Sequence, residues 1–258
     1  MAEDFGTACL SIAVEEGDDQ PLLSMTGESQ GTSITDILQL LDDLAAEYDS
    51  CVPLDLGGVD DLDTDTLRGL ATIALALRDH GKRLRLTSAG ETVRDTIDRL
   101  LLSDVFCLDH QCIRTQDSQR CPVASEDWTV DIFTLPCVMS YCQEARARAL
   151  RVAEFAGVSK SCRDDITLAI GEAVANAIEH GSSKCGGDPI TVSCLATPEK
   201  VSISVSDNGP GFSPESVPGV DESAIFRERG RGIHCMHAVM DEVSFRFERG
   251  TTVQMVKR

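Results

Sequence analysis

The chain has 258 residues, 42% hydrophobic and 26% charged, with 43 acidic side chains against 23 Lys and Arg and a formal net charge of −20. That length is long for one domain and comfortable for two, and the composition is that of a soluble globular protein. Such charge excludes a chain that holds nucleic acid or an anionic membrane through its net field.

The acidity is uneven. Residues 1–120 carry 9 basic and 24 acidic groups, net −15, and residues 121–258 carry 14 and 19, net −5. The first basic side chain is Arg68. A basic or neutral protein partner suits the front half, although the same acidity also serves solubility alone. No run reaches the roughly 18 apolar residues of a membrane span. The opening MAEDFGTACL lacks a basic leader segment, so a cytoplasmic location is expected. The cysteine count, 11, is odd and includes no C-x-x-C pair. Cys107, Cys112 and Cys121 lack zinc-like spacing, and HCMH at 234–237 has no second cluster to match it. Free, mostly buried thiols are the expectation.

In chain order, ACLSIAV and PLLSMTG read as strands. SITDILQLLDDLAAEY has helical apolar spacing, with Thr32 or Ser33 as a cap. CVPLDLGGV reads as a buried strand, and DTLRGLATIALALRDHG as an apolar helix closed by Gly81. KRLRLTSA is a strand and ETVRDTIDRLLLSDVF a helix. This alternation predicts a sheet with crossover helices over residues 1–108. Residues 109–127 are aperiodic and polar, and read as a linker. The second domain, 128–258, opens with the strand WTVDIFTL. Helices over 137–156 and about 162–180 follow, then strands ITVSCLA and VSISVSD, a Gly/Pro/Ser-rich loop at 207–229 and a helix over 231–241. A hairpin with Val243, Phe245 and Phe247 on one face closes the chain.

The chemistry concentrates in the second domain. In the helix that carries LAIGEAVANAIEHG, Ile166, Ala169, Ile170, Ala173, Val174, Ala177 and Ile178 make an apolar stripe. Glu172 and Asn176 lie one turn apart off that stripe. A carboxamide oxygen suits Mg2+, and a carboxylate one turn earlier suits a general base. Taken alone, the pair also fits a solvated helix face. In SVSDNGPGF, Asp207 ends a strand and can accept a hydrogen bond from an exocyclic amine, while Gly209 and Gly211 admit a planar base. The same residues fit a plain Asp-Asn-Gly turn. In ERGRGIHCMHAVM, Gly230 and Gly232 open a helix whose free amides suit phosphates, or simply give a flexible start. Gly250-Thr251-Thr252 places a hydroxyl in the final hairpin.

In this order the motifs resemble the ATP-binding fold shared by gyrase-type ATPases and histidine kinases (the GHKL or HATPase class), and most closely the bacterial anti-sigma-factor serine kinases, over residues 128–258. The resemblance implies a Bergerat-type α/β sandwich with Glu172 as general base and Asn176 as Mg2+ ligand. It implies Asp207 as the adenine-reading carboxylate supported by Gly209 and Gly211, Gly230 and Gly232 as phosphate loop, and Thr251 near the adenine. His180 fits the motif's ending and reads as helix termination.

Residues 51–106 in turn resemble the STAS domain of anti-sigma-factor antagonists, the first 50 matching in layout. That family carries an Asp-Ser-x-Gly-Leu turn whose hydroxyl is phosphorylated. Here the turn is Asp63-Thr64-Asp65-Thr66-Leu67, which puts Thr64 at the phospho-acceptor position, or makes it only a helix cap. Two departures stand out: Thr66 replaces the glycine, and Asp65 adds a charge beside the acceptor.

The fold expected is therefore α/β (α+β) in two domains. The expected function is a partner-switching regulator that uses ATP and Mg2+ to phosphorylate a Ser or Thr of a STAS-domain protein, controlling a sigma factor or similar target. The resemblance also allows a homodimer through the ATP-binding half. A second reading is a non-catalytic ATP-dependent binding module, an anti-sigma factor with a fused antagonist. A histidine kinase would need an acceptor His upstream, and before residue 128 there are His80, ahead of a helix-closing glycine, and His110 in the linker. A simple ATPase uses the same Glu on water.

Overall fold

A computed structural model describes residues 11–15, 22–27, 51–108, 128–181, 188–209, 231–247 and 250–258. Backbone contacts divide the chain into two compact units with the boundary between residues 125 and 126, Arg99–Leu101 grouping with the second. The linker expected at 109–127 and the helix expected at 33–48 with its cap lie outside the described residues. Among the described residues no helix is long and apolar enough to cross a membrane.

In the first unit the described strands are β1 (Ser11–Glu15), β2 (Leu22–Gly27), β3 (Cys51–Val59), β4 (Arg83–Ala89) and β5 (Cys107–Leu108), in that order across one sheet. β1 runs antiparallel to β2, and β2 through β5 are parallel. Parallel neighbours need crossovers; α1 (Thr64–Asp79) and α2 (Glu91–Arg99) supply two of them. Leu54, Leu56, Leu67, Leu70, Leu84 and Ile97 are fully buried.

Two local expectations change here. Asp63, not Thr64, caps α1: its side chain accepts from Thr66 N at 2.7 Å, and Thr64 is the first helical residue. Asp reaches the third amide of a helix from the cap position. α2 ends at Arg99 rather than running to Phe106. Leu101 takes φ 57, and Leu102 N donates back to the Ile97 carbonyl at 2.9 Å. Leu100, Leu102, Val105 and Phe106 are all buried, which one straight helix face cannot do for residues so spaced. The two-residue β5 that follows was not foreseen.

The second unit is one antiparallel sheet, ordered β6 (Thr129–Leu135), β7 (Ile190–Ala196), β8 (Val201–Ser206), β10 (Thr252–Lys257), β9 (Glu242–Arg246). Packed with it are α3 (Cys142–Phe155), α4 (Lys160–Asn176) and α5 (Arg231–Val239). The predicted stripe of α4 is the buried face: Ile166, Ala169, Ile170, Ala173 and Val174 meet Val192, Ile203, Val205 and Met255, and Ile178 is partly buried against the same core. Burying each isoleucine contributes roughly 1.5–3 kcal/mol.

α3 starts later than expected, because Val138 is extended after Pro136 and a 3-10 turn over Met139–Tyr141 intervenes. α4 starts earlier, at Lys160, because the Ser159 side chain accepts from Cys162 N. α5 is shorter than expected at its C-terminal end, stopping at Val239. Asp131 and Arg148 join β6 to α3 through a two-pronged pair (2.8 and 2.5 Å), with the guanidinium 3.8 Å over the Phe133 ring.

Candidate functional site

Glu172 and Asn176 project from α4, both half-buried and off the core stripe. Neither forms a hydrogen bond or ion pair among the described residues. What faces them is the start of α5. A Cβ placed on Gly232 would lie 2.8 Å from Glu172 Oε2 and 3.2 and 3.3 Å from the Asn176 amide atoms. The absence of a side chain at 232 is thus what lets the first turn of α5 come down on this pair. The first turn of a helix leaves its amides unbonded, and such amides beside a carboxylate and a carboxamide make a set that fits a magnesium-bound phosphate.

After Asn176 the chain widens into a π turn over Ala177–Gly181. π turns release backbone carbonyls from the helical ladder. The Cys137 thiol lies 3.7 Å from the Ile178 carbonyl oxygen and 3.9 Å from that of Ala177. The turn delivers Gly181 against Asp207: a Cβ on Gly181 would fall 2.6 Å from Asp207 Oδ1.

Asp207 follows directly on β8 and is 6% exposed. Its Oδ1 accepts from Gly209 N at 2.8 Å and from Thr251 N at 3.3 Å. Its own N–H donates to the Thr251 carbonyl at 2.9 Å. The β8–β10 register, Thr252 opposite Ser206, makes this meeting inevitable. Gly250, at φ 83, packs on the Asp207 carbonyl, a conformation and a contact that both exclude a side chain. Both amides fall on Oδ1, so among the described residues Oδ2 has no donor. Burial raises the Asp207 carboxyl above the ordinary aspartate range; the Gly209 and Thr251 amides and the nearby His180 pull it partway back. A buried carboxylate with one free oxygen beside close-packed glycines fits an adenine amine.

The structure therefore gathers Glu172, Asn176 and Gly232 in one cluster and Asp207, Gly209 and Thr251 in another, with the turn from Asn176 to Gly181 connecting them. Gly211 and Gly230 lie outside the described residues. His180 is exposed in the π turn Ala177–Gly181 that ends the described helical run, next to the position where it was expected to mark the helix end. Thr64 belongs to the first unit, half-buried, its side chain without a hydrogen bond among the described residues.

The sequence reading missed Gly181 and Cys137 as parts of this arrangement, and quoted Gly250 only as the residue ahead of Thr251. Six described cysteines are free thiols, and of these Cys142 and Cys194 are buried while Cys51, Cys137, Cys162 and Cys235 are half-buried, fewer buried than expected. Burial raises the Cys142 and Cys235 thiols, and the Glu172 charge adds to both.

Comparison with known proteins agrees with this layout. The profile of the histidine kinase-like ATPase domain matches residues 138–257, and that described as "Mlab, STAS domain" matches residues 12–108, reaching well before residue 51. The serine-protein kinase RsbW of Listeria monocytogenes serovar 1/2a (strain EGD-e) is 30% identical over 130 residues, 48% of this chain and 83% of that protein. The Staphylococcus epidermidis protein of the same name is 30% identical over 131 residues, 48% of this chain and 82% of that one. A solved structure of the RsbU and RsbW domains of a Mycobacterium tuberculosis protein is 23% identical with a TM-score of 0.39; the matched region is 50% of this chain and 32% of that one.

Proposed function

We propose, from the premise that this chain belongs to the RsbW family of serine-protein kinases and carries a STAS domain ahead of its histidine kinase-like ATPase domain, that it transfers phosphate from Mg-ATP to a Ser or Thr of a STAS-domain protein. Partner switching on a sigma factor or similar target is the role that such a transfer serves. The observation that carries the reading is Glu172 and Asn176, half-buried and without partners among the described residues, directly under the Gly232 turn. Convergent polar side chains that the fold itself does not pair are what a ligand site offers.

When bound, Mg-ATP supplies the phosphoryl group and a cation that offsets its charge. The chain's own residues divide the remaining work. Glu172 would take the proton of the acceptor hydroxyl as the phosphoryl group leaves ADP, and Asn176 would offer its carboxamide oxygen to the metal. The α5 amides, together with Gly230 by sequence, hold the phosphates. Asp207 would offer Oδ2 to the adenine amine, its carboxylate oriented by the Gly209 and Thr251 amides that donate to Oδ1. Thr64, with a free hydroxyl at the start of α1, is the acceptor candidate within this chain, in cis or in trans.

The test is radiolabelled phosphate transfer from ATP to a STAS-domain protein, with mass spectrometry of Thr64 alongside. Glu172→Gln lowers transfer by about 10²–10⁴-fold while nucleotide binding persists. Nucleotide binding in the wild type without transfer to any STAS protein would instead establish the non-catalytic binding module.

A further inference from the structure

Gly232 meets Glu172 at one end of the α4–α5 contact; the other end is closed by a lysine. Lys257, the last residue of β10, donates to the carbonyl of Val239 at 2.6 Å and reaches Asp165 Oδ2 at 2.8 Å. Val239 is the last residue of α5, and Asp165 lies in the second turn of α4. The spacing matches on both helices. Asp165 to Glu172 is seven residues on α4, and Gly232 to Val239 is seven residues on α5. Seven residues are two turns, about 10 Å, and return to nearly the same face. The helices therefore run antiparallel with two rungs: Gly232 against Glu172 and Asn176, and Val239 through Lys257 to Asp165. Between the rungs, Cys235 lies close enough to feel the Glu172 charge, and Met236 is fully buried in the core.

We propose that Lys257 is a positioning residue for the phosphate end of the nucleotide site: it fixes the C-terminus of α5 to α4 and thereby holds the Gly232 turn over Glu172 and Asn176. The inference rests on the nucleotide reading above. A cation at a helix C-terminus satisfies a carbonyl that the helix cannot, and here the same ammonium is also tied to the neighbouring helix. The lysine is 14% exposed and Asp165 31%, so the tie is partly shielded from water. β10 pairs with β8 along its whole length, Thr252↔Ser206 to Lys257↔Val201, so the strand keeps its place without the lysine side chain. The adenine end, at Asp207 and Thr251, does not depend on the tie.

That separation is the test. Adenosine and ADP affinities are measured by calorimetry for the full chain, wild type and variants. Lys257→Met weakens ADP about tenfold, the loss of one charge-assisted tie, and leaves adenosine within about twofold, and Lys257→Arg restores ADP to within about threefold because it keeps the charge and donors. Equal weakening of adenosine and ADP, or no change in either, overturns the proposal. Should Lys257→Met fail to fold by circular dichroism, Asp165→Asn takes its place, with a smaller ADP-specific loss of about threefold expected and the same overturning results. Wild-type protein that binds neither ligand defeats the nucleotide reading, and this proposal with it; wild-type binding with unmoved variants defeats this proposal alone.

Discussion

At the start of α1 the acidic side chains are taken up by local bonds, whereas on α4 Glu172 has no partner among the described residues. Asp61 accepts from Leu62 N at 2.9 Å, Asp63 from Thr66 N at 2.7 Å, and Asp65 pairs with Arg68. Each serves the turn in which it stands. Glu172 and Asn176 serve no local bond, and the helix beneath them is held by its apolar stripe instead. The difference separates side chains that build a fold from side chains that the fold presents. It also bears on Thr64. With Asp63 as cap, Thr64 is not required for helix initiation, and Thr66 occupies the STAS glycine position inside a regular helix with its side chain buried.

Substitution can break this contrast at several points. The largest effect is expected at Asp207. Asp207→Asn removes the charged acceptor and weakens ATP binding by about 10- to 100-fold in calorimetry. Because the folded carboxyl holds its proton above the ordinary aspartate range, wild-type affinity falls on acidification before a free aspartate titrates. The sign for stability is opposite. A raised carboxyl favours the folded state at low pH, and that contribution is lost as pH rises through the folded value. The Asn variant shows neither slope; a wild-type affinity flat down to the free-aspartate range would remove Asp207 from the site.

Gly232→Ala comes next. Its methyl group would meet Glu172 and Asn176, so the α5 turn must lift, and ADP affinity drops about tenfold with little change in Tm. Unchanged affinity would mean that the turn does not hold phosphates. The smallest effects sharpen the α1 side. Asp63→Ala costs about 1 kcal/mol in chemical denaturation. Thr64→Ala stays within about 0.5 kcal/mol and, if Thr64 is the acceptor, abolishes label on the first unit. A Thr64→Ala loss as large as that of Asp63→Ala would return Thr64 to a structural role.

Much of the candidate site was legible because its pieces are local. The i,i+4 spacing of Glu172 and Asn176, the apolar stripe of α4 and the Asp207–Gly209 turn are all short-range patterns. Element ends were less legible. α2 stops at Arg99 because Leu100, Leu102 and Phe106 are each drawn into a core that periodicity does not describe. The π turn at Ala177–Gly181 has no propensity signature, and the Asp63 cap was passed over for the threonine beside it.

By itself the sequence determined most of the described helices and strands, which face of α4 is apolar, and which residues are candidates for chemistry, since these follow from neighbours three or four positions away. The tertiary structure alone decided what those residues meet. Gly232 lies 60 positions from Glu172, Thr251 44 from Asp207 and Lys257 92 from Asp165, and each pair is joined only by strand register and helix packing. Close packing permits one arrangement of these elements, and that arrangement leaves Glu172 and Asn176 without partners among the described residues while enclosing Asp207.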